Sequence, residues 1–112
     1  MKLFTCKRPP WHLFRGDKFR VLWKRAFTGG GKKSPRIEAD GTTANCKVVK
    51  VITIDPNLSE RRLLKVLVDE GIHACNFDLD NEVVDQYSDA ISSFIWKVGY
   101  RLPRIPEDDQ EE

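Results

Sequence analysis

Two helical periodicities lie almost back to back between Ser59 and Gly99, and they commit the chain to a helix pair that must find something to cover it. Ser59 stands where an N-cap belongs, and Glu60 suits the positive end of the first turn. The first helix is expected to run to about Cys75. Leu64, Leu67, Val68 and Ile72 form its apolar stripe, with Asp69, His73 and Asn76 on an adjacent face. After a short turn, a second helix is expected from about Asn81 to Val98. Val83, Val84, Tyr87, Ile91, Phe94, Ile95 and Val98 supply its buried face, and Gly99 falls at the C-cap.

The cover must come from strands. Phe19, Val21 and Trp23 alternate with Lys18, Arg20 and Lys24, a half-buried strand pattern within Lys18 to Phe27. Cys46 to Asp55 is rich in Val and Ile, and Pro56 ends it because proline cannot donate to a sheet ladder. The fold class expected is therefore α+β, with a small sheet of two or three strands packed against two helices. A chain of 112 residues supports one core. The organisation expected is a basic lead-in over 1–15, a single domain over 16–104 and a disordered acidic tail over 105–112. Thr28 to Pro35 reads as a flexible connector. Its glycines lack the phosphate-cradle spacing, and no helix pattern follows them.

Net charge is only +2, but residues 1–55 carry +9 and residues 56–112 carry −7. Lys7, Arg8, Arg15, Lys18, Arg20, Lys24, Arg25, Lys32, Lys33 and Arg36 interleave with Trp11, Phe14, Phe19, Trp23 and Phe27. Such a half can meet phosphates and stack on bases, so nucleic acid or an acidic protein is a partner to consider for 7–36. The alternative is a strand with an aromatic core face and a charged solvent face. No apolar run is long enough to span a membrane, and the first ten residues lack the apolar segment of a signal peptide. Cys6, Cys46 and Cys75 are an odd set without paired spacing, which fits reduced thiols in a cytoplasmic setting. Cys75 lies about 200° around the helix from His73 and is expected in the core.

Residues 69–73 read Asp-Glu-Gly-Ile-His, one substitution from the zinc-binding helix motif His-Glu-x-x-His. In the intact motif, residues i and i+4 share a helix face and bind the metal, and the Glu polarises a water. Asp69 and His73 take the ligand positions here, and Glu70 the general-base position. An oxygen-richer set shifts preference from Zn²⁺ toward Mn²⁺ or Mg²⁺. The stretch from Asp78 to Glu82 is not an EF-hand calcium loop, because Val83 holds the position that needs Gly.

Leu67 to Ala74, Phe77 to Val84, and Ile95-Trp96-Lys97-Val98-Gly99-Tyr100-Arg101 together resemble the small, mostly phage-encoded SprT-like metallopeptidases of the zincin class. The loop and strand from Asp40-Gly41 through Cys46 to Pro56 fit the same pattern. The resemblance implies a zincin-like domain, a zinc cofactor, a protein or peptide substrate, and a third ligand from the second helix. Glu82 fits that third position best because Asn81-Glu82-Val83-Val84-Asp85 resembles the family's D-E-x-x-V stretch, with Asp85 the other candidate. Asp78, Asp80 and Glu82 also suit the capping of a helix N-terminus. Two functions follow: a metal-dependent peptidase, or an inactive relative that binds through its basic half.

Overall fold

The computed structural model describes residues 7–28, 35–45 and 49–101. Strands β1 (Trp11–Phe14), β2 (Asp17–Trp23), β3 (Ala26–Thr28), β4 (Ile37–Ala39), β5 (Gly41–Asn45) and β6 (Lys50–Ile54) precede helices α1 (Glu60–Cys75) and α2 (Asn81–Val98). The fold is α+β. A four-stranded sheet has the order β1-β2-β6-β5, and β3 and β4 pair as a separate ribbon. β2 and β6 are parallel, and the other pairings are antiparallel.

The strand count exceeds the two or three expected, and the reason begins in the supposed lead-in. Arg15 and Gly16 both take positive φ, 52° and 86°. Such a two-residue turn matches strand twist and closes a tight hairpin. It folds Trp11–Phe14 back on Asp17–Arg20, so the domain begins before residue 16. The strand expected over Lys18 to Phe27 breaks after Trp23, and Ala26–Thr28 joins β4 instead. β5 occupies part of the stretch read as a loop. Residues 1–6, 29–34, 46–48 and 102–112, including the connector glycines, Cys46 and the acidic tail, lie outside the described residues.

Residues directly paired across strands share a face of the sheet. Phe19 and Val21 on β2 and Ile52 and Ile54 on β6 thus point one way, and α1 lies on them with Leu63, Val66 and Ala74. Phe14, Trp23, Leu58 and Leu67 pack around this core. α1 begins as its sequence expects, with the Ser59 hydroxyl accepting from Arg62 N at 3.4 Å. Its buried stripe differs from the expected one. Leu63, Leu64, Val66, Glu70 and Ala74 are buried, whereas Leu67, Val68 and Ile72 are only half-buried. α1 is covered on two sides, by the sheet and by α2, so a single stripe does not describe it.

α2 buries only part of the face its sequence pattern marks: Val84 is buried as expected, and Val83 and Ile95 are half-buried. The residues it buries are Val84, Ser88 and Ser92, while Tyr87, Ile91, Phe94 and Val98 are exposed. The contact with α1 is built from short polar groups. Arg61 donates to Ser92 Oγ at 3.4 Å, Lys65 to Asp85 Oδ1 at 2.7 Å, and Ser88 to Asp69 Oδ1 at 2.9 Å. Cys75 is exposed, contrary to expectation, because it ends α1 beyond the covering elements. No helix among the described residues is long and apolar enough to cross a membrane.

Candidate functional site

The motif residues gather where α1 passes beneath β5. Gly41 begins that strand, and a Cβ placed there would stand 2.8 Å from Val66 Cγ1 and 3.0 Å from Glu70 Cγ. Only glycine lets the strand approach the helix so closely. Gly41→Ala is expected to cost about 1–3 kcal/mol through overpacking, read as a lower midpoint in chemical denaturation at constant slope.

The approach lets Thr43 Oγ1 donate to Glu70 Oε1 at 2.5 Å. Glu70 is buried, and burial pushes its carboxyl up from an ordinary 4.5 to about 7. The Thr43 hydrogen bond lowers it, and the neighbouring charge of Asp69 adds to the rise. Asp69 sits between α1 and α2, with Oδ1 on Ser88 and Oδ2 3.7 Å from His73 Nε2. Asp85 on α2 is held by Lys65, whose ammonium is raised in pKa chiefly by that hydrogen bond.

A cavity of about 660 Å³ opens onto these groups, its lining including Thr43, Asp69, Glu70, His73, Asn81 and Asp85. The spacing of the pentad therefore brings Asp69, Glu70 and His73 together. Glu82 is not with them. It lies outside the cavity lining, because each residue turns a helix by 100° and Asn81 and Asp85, themselves exposed, occupy the positions toward the cavity. From α2 the cavity lining takes an amide at Asn81 and a carboxylate at Asp85 already paired with Lys65, and not the expected Glu82.

A zinc site needs three protein donors and an open position. Among the described residues no three His, Cys, Asp or Glu side chains group so as to hold a metal ion. The donors do not fit zinc as they stand. Each charged group is satisfied within the protein instead, and no buried side-chain nitrogen or oxygen among the described residues lacks a partner. Thr43, Ser88 and Lys65 are the residues the motif did not reveal. They reach the pentad from β5, from α2 and from one turn back on α1, and no spacing rule links them to it. Comparison with protein-family models, with curated proteins and with solved structures gave no match.

A second cluster lies on the other side of the sheet. Trp11 pairs directly with Arg20, and Arg20 with Val51, so all three share the face away from α1. Lys18 Nζ lies 4.7 Å from the centroid of the half-exposed Trp11 ring. A shallow concavity of about 720 Å³ is lined by Pro10, Trp11, Lys18, Arg20, Lys50 and Val51. Phe14, Phe19 and Trp23 serve the core, so the aromatics of the basic half divide between two faces.

Proposed function

We propose that this chain is a zincin-type scaffold, similar to the SprT-like metallopeptidases, that works by binding and not by hydrolysis. One observation carries the reading: the groups that would hold a metal are held by one another. Asp69 engages Ser88 and His73, Glu70 engages Thr43, Asp85 engages Lys65, and Asn81 faces the cavity where a third ligand would be required. Thermal unfolding with and without stoichiometric Zn²⁺ is expected to superimpose, and no zinc-dependent peptide cleavage is expected. Zinc-dependent cleavage abolished by Glu70→Gln would return the chain to the peptidases.

The binding surface we assign is the open face of the four-stranded sheet, and the ligand is single-stranded nucleic acid. Trp11 offers a ring to a base, and Lys18 and Arg20 on the same face offer charge to the phosphates around it. Stacking on an aromatic ring is sequence-tolerant because every base has a π-face. Anisotropy of a fluorescent mixed-sequence oligonucleotide provides the test. Each phosphate neutralised on a single strand contributes a log–log salt slope of about −0.7, so two contacts predict about −1.4. Trp11→Ala is expected to weaken binding by about 1–3 kcal/mol at constant salt. Absence of binding at low salt would direct the basic face to an acidic protein.

A further inference from the structure

We propose that the outward face of α2 is the contact surface for a second copy of this chain, the two helices lying antiparallel about a two-fold axis. This inference is independent of what the sheet face or the cavity does. It starts from the part of α2 that its own fold leaves uncovered: four of the seven residues whose sequence pattern marks a buried face are exposed. Tyr87 is 54% exposed, Ile91 44%, Phe94 68% and Val98 71%. A scattered exposed Leu or Phe needs no explanation, but a contiguous stripe of large side chains does.

The spacing within the stripe names the kind of partner. Its four members are separated by four, three and four residues, the 3.5-residue repeat of a helix seam that meets another helix. A two-fold contact also requires the patch to complement itself. Here the midpoint falls between Ile91 and Phe94, so an axis there sets Ile91 against the other copy's Phe94 and the large Tyr87 against the smaller Val98. Charge fixes the direction. Exposed Asp78, Asp80 and Glu82 stand at the N-terminal end of α2, and Lys97 and Arg101 at its C-terminal end. Antiparallel pairing brings unlike ends together and opposes the helix dipoles, whereas parallel pairing sets like beside like. With aromatic side chains carrying about 150–250 Å² each, the four residues expose on the order of 500 Å² per copy, a large share of the roughly 800 Å² per partner that a stable interface buries.

Sedimentation equilibrium of the full chain from micromolar to hundreds of micromolar is expected to show reversible doubling of mass. Phe94→Glu places a charge at the centre of the seam and is expected to raise the dissociation constant at least about 100-fold. Phe94 is mostly exposed within one copy, so the variant's circular dichroism should match the native chain. A spin label on Glu82→Cys, with the native cysteines changed to serine, reads direction. The two labels are expected on the order of 30 Å apart along the antiparallel pair, and about 10 Å apart in a parallel one. A monomer throughout would overturn the proposal and give the stripe to residues 102–112 or to a different protein. A dimer indifferent to Phe94→Glu, or a short label distance, would overturn it equally.

Discussion

Glu70→Gln is expected to stabilise the protein by on the order of 3 kcal/mol above about pH 7.5 and to leave its stability below about pH 4 almost unchanged. The reason is the mismatch between the two states of one carboxyl group. Unfolded, Glu70 loses its proton near the ordinary value of 4.5; folded, it keeps the proton until about pH 7. Below pH 4.5 both states are protonated and the group has no effect on stability. As pH rises from 4.5 to 7 the unfolded chain binds fewer protons than the folded one, so stability falls. Above pH 7 both states are ionised and the loss is constant. Glutamine imitates the protonated carboxyl, can still accept from Thr43 and has no proton to lose. Urea denaturation across this pH range measures it: the native curve should descend and the variant's should run flatter. Parallel curves would mean that Glu70 is ionised in the folded protein at neutral pH and that its burial does not raise its pKa.

The helix boundaries and the grouping of Asp69, Glu70 and His73 were legible in the sequence because both rest on local spacing. Ser59 as N-cap, Asn81 to Val98 as the second helix and Gly99 as its αL C-cap depend on residues within a turn of one another. β1 was less legible, since its evidence is a two-residue turn, Arg15-Gly16, between short alternating stretches that also read as a basic lead-in. Hydrophobic periodicity finds the apolar stripe of α2 but does not say which element will cover it. Within one copy α1 takes the serine side, where Ser88 and Ser92 offer hydroxyls to Asp69 and Arg61. The family resemblance pointed to Glu82 as third ligand, but the cavity lining takes Asn81 and Asp85 from α2. Glu82 and Asn81 are neighbours in sequence and both exposed, yet 100° of helix rotation leaves the first outside the cavity lining and the second within it.

That rotation determines what it would take to build a zinc site. Asp69→His alone restores His-Glu-x-x-His but supplies only two imidazoles, because α2 still presents an amide at Asn81 and Asp85 still binds Lys65. The single variant is therefore expected to gain little from zinc. Asp69→His combined with Asn81→Glu offers two imidazoles and a carboxylate to one cavity without adding net negative charge to it. A carboxylate at Asn81 also suits the positive end of α2. Without metal the double variant should be less stable than the native chain by about 1–2 kcal/mol, since Ser88 loses its carboxylate acceptor. With zinc at about a thousandfold excess over its dissociation constant, binding to the folded state alone adds about 4 kcal/mol. Thermal unfolding of the native chain, the single variant and the double variant, each with and without zinc, should thus show a large shift only in the double variant. Glu82→Ala in that background should not diminish the shift, because Glu82 lies outside the cavity lining. Equal zinc stabilisation of the single and double variants would show that Asn81 is not the missing ligand, and that Asp85 leaves Lys65 to serve in its place.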